Sequence, residues 1–183
     1  MRTRGNTFVA LILAAAVALA GCGSKTNVGS GGSGEFNAAD VTFAQSMIPH
    51  HQQAVQMARM AKMHASSTEL KQLAGKIEAA QGPEIKTMTS WLEHWGKGTG
   101  SMNGMSGMPG MMSNPDMKGL GAATGGAFDR MFLTMMVRHH MGAIKMARTE
   151  QSRGKNPEAV ALAKKIEAAQ TVEVAKMRKM LKP

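Results

Sequence analysis

Along residues 43–57, Phe43, Met47, His50, Ala54 and Met57 recur at spacings of four and three. That interval draws one stripe along an α-helix. A second stripe, Leu70, Leu73, Ile77, Ala80, Glu84 and Met88, predicts a second helix. The first helix has a clear start in Phe36-Asn37-Ala38-Ala39-Asp40-Val41. Asn37 is suited to the cap, Asp40 to the first turn, and Phe36 with Val41 to a hydrophobic staple. Polar breaks at Ala65 to Thr68 and at Gly154 to Pro157 mark tight connections within two antiparallel hairpins.

The pattern occurs twice. Shifted by 89 residues, Asp40, Phe43, Met47, His50, His51, Ala54, Met57, Ala58 and Arg59 fall on Asp129, Phe132, Met136, His139, His140, Ala143, Met146, Ala147 and Arg148. The block Lys-Ile-Glu-Ala-Ala-Gln stands at 76–81 and again at 165–170, and Glu84, Met88 and Leu92 match Glu173, Met177 and Leu181. Such self-similarity is the signature of a duplicated unit. Residues 96–126, rich in Gly, Ser, Met and Pro, show no helical period and read as a long crossover. The expected fold is all-α: a four-helix bundle of two duplicated hairpins, 36–95 and 127–183, within a domain spanning 36–183.

The N-terminus follows a different pattern. Arg2 and Arg4 precede an apolar run from Phe8 to Ala20, 13 residues that fall short of the ~18 needed for a spanning helix. Residues 1–21 therefore read as an export signal. Leu19-Ala20-Gly21-Cys22 resembles a bacterial lipobox, which implies cleavage before Cys22 and a lipid on its sulfur. Residues 22–35 would then be the lipidated cysteine and a Gly/Ser-rich tether. Cys22 is the single cysteine, which excludes a disulfide framework and a thiolate cluster. The formal charge is +10, two units of it from Arg2 and Arg4. An exported protein rarely meets nucleic acid, so this charge reads as a solvated basic surface with an attraction to anionic lipid.

Nineteen methionines and no tyrosine direct attention to thioether chemistry. Met47 precedes His50 by three residues and His51 by four, so it shares a helical face with each. Met136, His139 and His140 repeat the arrangement. Imidazole and thioether together suit copper in either oxidation state, and the same patch would accept silver. Glu84 and Glu173 lie on the inner stripes as direct ligands or as partners of the histidines. Met60, Met63 and His64 form an extra cluster absent from the second half, which has Thr149, Ser152 and Arg153. Met102, Met105, Met108 and Met111 recur every three residues in the crossover, where no helix would bury them, and flexible thioethers can wrap Cu(I).

Residues 43–58, FAQSMIPHHQQAVQMA, and 132–147, FLTMMVRHHMGAIKMA, resemble the paired signatures of the bacterial "domain of unknown function 305" family. The resemblance implies a ferritin-like helical bundle. It also implies copper binding through Met47, His50, His51, Met136, His139 and His140, since some family members are exported copper-binding proteins linked to copper resistance. A membrane-anchored, extracytoplasmic copper-binding protein that handles its ion with a protein partner is the resulting expectation. Two alternatives stand beside it. A di-iron oxidoreductase would need Glu-x-x-His motifs, and no Glu here is followed by His at that spacing. A purely structural or interaction bundle would use its methionines for packing alone. No catalytic constellation is evident, so binding without turnover is expected.

Overall fold

The structure, a computed structural model, describes residues 35–99 and 107–182. Residues 1–21, read above as an export signal, and Cys22, Met102 and Met105 lie outside these residues. Residues Ser33–Pro183 form one compact unit through contacts of their own. The described elements are all helical: α1 (Ala38–His64), α2 (Thr68–His94), α3 (Asn114–Ala122), α4 (Gly125–Arg153) and α5 (Pro157–Met180). None is long and apolar enough to cross a membrane.

α1 begins as its sequence signals. Asn37 accepts from the backbone N–H groups of Ala39 and Asp40, while Asp40 accepts from that of Asn37, closing a capping box. Phe36 stacks on Trp95, with ring centroids 4.8 Å apart. Pro49 lies buried inside α1, which continues through it to His64. α1 pairs closely with α2, and α4 with α5, as the two hairpins require; the main contact between hairpins is α1 against α4.

Two apolar clusters fix the direction of that contact. One unites the C-terminal half of α1 (Ala54, Met57) with the N-terminal half of α4 (Phe128, Phe132, Met136). The other unites the N-terminal half of α1 (Phe43, Met47) with the C-terminal half of α4 (Ala143, Ala147). α1 and α4 are therefore antiparallel, and the duplicated halves meet around an approximate two-fold axis. Reciprocal straps follow the same symmetry. Asp40 accepts from the backbone N–H groups of Lys155 and Asn156 in the α4–α5 turn. Asp129 accepts from those of Ser66 and Ser67 in the α1–α2 turn. Each inner helix thus holds the other hairpin's connection in place.

The crossover differs from expectation. It contains α3, nine residues long, capped by Ser113 and Asp116 in a second capping box with Pro115 in the first turn. Only Leu120 of α3 is buried, so the helix is set by its caps, and an apolar period is hardly present to be read. The second stripe also needs a correction. Ala80 is exposed and Gln81 is buried, because the step from Ile77 to the next inward position is four residues. Gln170 is buried at the matching place in α5.

Candidate metal centre

The histidines sit where α1 crosses α4, between the two apolar clusters. A helix turns by about 100° per residue, so adjacent histidines cannot face one partner. Both members of each pair are nonetheless buried: His50, His51 and His140 at 0% exposure and His139 at 1%. α1 and α4 are covered on more than one side, and each histidine of a pair meets a different neighbour. His50 and His139 face each other across the two-fold axis, with ring centroids 3.7 Å apart. His51 turns to α2, where its Nε2 lies 2.7 Å from Glu84 Oε2. His140 turns to α5, where its Nε2 lies 2.7 Å from Glu173 Oε2. Met47 and Met136 are both completely buried, but in opposite clusters, so they flank the imidazole layer from its two sides.

The hydrogen bonds assign the tautomers. A carboxylate or a carbonyl accepts only, so Nε2 of His51 and His140 carries the hydrogen. Nε2 of His50 likewise donates to the Pro109 carbonyl at 3.2 Å. On a neutral ring the Nδ1 atom then bears the lone pair, and none of the three Nδ1 atoms has a hydrogen-bond partner. Neither ring nitrogen of His139 has one either. Five orphaned ring nitrogens in one buried layer call for an explanation, because buried polar groups are ordinarily satisfied.

Electrostatics keep two of these rings, His50 and His139, neutral. Burial, and then the neighbouring His51, push His50 down to about 3. Burial, followed by His50 and His140, drives His139 well below the ordinary imidazole range. Neutral imidazoles whose far nitrogen is held by a carboxylate are the form in which histidine ligates metals. Among the described residues, no three His, Asp or Glu side chains already surround a common point. The His50 and His139 rings, tilted by 35° with centroids 3.7 Å apart, leave no room for an ion between them, so they would have to part for their lone pairs to reach one. The donor chemistry fits copper; the ring orientations are those of a layer that must adjust on binding.

Part of the crossover straps this layer. Gln53 of α1 exchanges two hydrogen bonds with the backbone of Met112, at 2.7 and 2.9 Å. Pro109 and Gly110 press on α4 so closely that a Cβ on Gly142 would stand 1.9 Å from the Pro109 oxygen. Gly110 has φ +82° and passes against the backbone of Arg138 and His139. This end of the methionine run is thus bound down, contrary to the expectation of an exposed thioether chain. Met108 and Met111 are half-buried, and Met112, missed by its spacing, is buried with its Sδ accepting from Arg138.

The extra cluster of α1 does not share one environment. Met63 is 74% exposed, Met60 packs against the larger apolar cluster, and His64 stacks on Phe128. Periodicity also missed Glu150, fully buried beside Asp40. Its signal was a departure from the repeat, since Ala61 occupies the matching place in the first half.

Fold and site together define an all-α protein of two pseudo-symmetric hairpins enclosing a layer of buried histidines flanked by thioethers. The family model "domain of unknown function 305" matches residues 40–181, and the chain belongs to that family. It is similar to a Streptomyces coelicolor DUF305 protein described as secreted, at 31% identity and TM-score 0.74, over 78% of this chain and 91% of that one. A DUF305 fragment from Deinococcus radiodurans is 29% identical with TM-score 0.73, over 79% of this chain and 96% of its own. CopM in its Cu(II)-bound form is 34% identical with TM-score 0.68, over 78% of this chain and 95% of its own, and CopM has also been solved with Cu(I) and with silver. Among curated proteins, none matches this chain.

Proposed function

We propose that this protein binds copper outside the cytoplasm, taking the ion into the histidine layer between its two hairpins and holding it without turnover. The observation that carries the reading is the set of five unpartnered ring nitrogens on four fully buried imidazoles. His51 and His140 would ligate through Nδ1, each fixed by its carboxylate partner, with His50 and His139 joining as their rings part. Met47 and Met136 would supply thioether sulfur from the two sides, favouring the cuprous state. Glu84 and Glu173 act on this reading as positioning residues, because their oxygens are engaged with the Nε2 hydrogens. Met108 and Met111, at the strap, would pass the ion inward. Likeness to CopM, solved with copper and with silver, supports the choice of ion. The export signal and the likeness to a protein described as secreted support the location.

An anaerobic Cu(I) titration against a competing chelator tests this. Wild type should retain the ion, and a variant with His50, His51, His139 and His140 all changed to Ala should lose it while circular dichroism shows the helices kept. Equal retention by both would sink the reading. Copurified iron with oxygen consumption would restore the oxidoreductase alternative.

A further inference from the structure

The duplication supplies an internal control for surface function, because the two halves offer the same fold with different residues. Along the outside of the second hairpin, α4 and α5 border a groove of about 540 Å³. Its apolar floor is Met141, Ile144 and Val174, and its rim carries Lys145, Arg148, Arg153 and Arg178. None of its lining residues is acidic. At the matching positions of the first hairpin, Lys145 is Gln56, Arg153 is His64 and Arg178 is Thr89; Arg59 alone preserves a cation, opposite Arg148. Three cations thus separate two faces that the fold makes equivalent. Arg148 is engaged with Glu167, and Arg178 rests its guanidinium on Met141 Sδ at 3.4 Å. Met141 is itself 51% exposed.

The place where the described chain begins adds a second observation. Asn37 Nδ2 donates to the Arg153 carbonyl at 2.8 Å, and Glu35 pairs with Lys155. The N-terminal segment therefore joins the bundle beside the cationic rim. Upstream lie the apolar run and Cys22, and the fourteen residues between Cys22 and Asn37 let the two stand at most about 50 Å apart when extended.

We propose that the α4–α5 groove docks the bundle onto a membrane rich in anionic phospholipid, its rim cations contacting phosphate headgroups while the exposed Met141 enters the interface. A short tether would hold this face, and not its less cationic twin, close to the bilayer. Cations near an anionic surface each add attraction that salt screens. The proposal does not depend on copper.

The test uses residues 33–183, the compact unit, mixed with sedimenting vesicles of phosphatidylglycerol and phosphatidylcholine at low salt. Wild type should bind these vesicles and not pure phosphatidylcholine. Changing Lys145, Arg153 and Arg178 together to Gln should lower partitioning at least about tenfold. Changing Lys71, Lys76 and Lys86 of α2 to Gln removes the same charge elsewhere and should lower it by less than about threefold. An equal loss in both variants would show unlocalised attraction and overturn the proposal. So would indifference to phosphatidylglycerol. Saturable binding of free glycerol phosphate at micromolar concentration would make the groove a soluble-anion site and also overturn it.

Discussion

Glu150 is the residue whose replacement has the most calculable outcome. It is buried at 1% exposure near the C-terminal end of α4, against Asp40 at the start of α1. Burial first, and then the hydrogen bond and charge of Asp40, push its carboxyl from 4.5 up to about 8. Asp40 moves the other way: burial would raise it, but the hydrogen bond with Glu150 and the N–H groups of Asn37, Asn156 and Lys155 hold it below its ordinary value. Between pH 4.5 and about 8 the folded state keeps a proton on Glu150 that the unfolded chain has released. Stability from this group is therefore complete below pH 4.5 and declines as pH rises toward 8. At about 1.36 kcal/mol per pH unit the ceiling is about 4 kcal/mol from pH 5 to 8. Glu150 also lines a surface cavity, where solvent reduces the effect to about 2 kcal/mol. Glu150→Gln keeps the shape, donates to Asp40 and cannot ionise. Urea unfolding at pH 5, 6, 7 and 8 should show the variant gaining about 2 kcal/mol relative to wild type across the series. Groups common to both proteins cancel in that difference. A difference that stays flat within about 0.5 kcal/mol, or that runs the opposite way, would refute the placement of a shared proton at this pair.

Further expectations concern the site itself. His50 and His139 have depressed values, so their stabilisation is present above 6.5 and is lost as pH falls below it, for His50 toward about 3; His139→Leu should blunt the acid unfolding of the metal-free protein, followed by circular dichroism. Gly142→Ala sets a methyl against Pro109 and should cost about 1–3 kcal/mol in thermal or urea unfolding, with altered access to His50. Glu84→Gln or Glu173→Gln should weaken copper about 10–100-fold in chelator competition while leaving the helix content unchanged, since each carboxylate orients a histidine.

Periodicity and duplication revealed most of this architecture because both follow from the same physics. A stripe repeated at 89 residues specifies two hairpins that bury matching faces, and Asn37 and Asp40 mark the first start. What escaped was set by tertiary contact. Stripe reasoning assumes one buried side, but α1 is covered from several, so His50 and His51 are both enclosed despite pointing about 100° apart. It also could not show that the two motifs meet, which depends on the antiparallel crossing of α1 with α4. α3 escaped because one buried leucine gives no period, although Ser113-Asn114-Pro115-Asp116 carried its start. The binding of Met112 by Gln53 joins residues 59 apart, and no local pattern encodes it.

On the proposed function, copper is held by the lone pairs of the buried imidazoles. Long-range proton–nitrogen correlation spectra of 15N-histidine-labelled protein, taken before and after one equivalent of Cu(I) under anaerobic conditions, address it directly. Copper binding should bring large shifts of Nδ1 in His51 and His140, with hydrogen retained on their Nε2 atoms, and movement of the His50 and His139 rings. Unchanged imidazole nitrogens in a copper-loaded protein would contradict it.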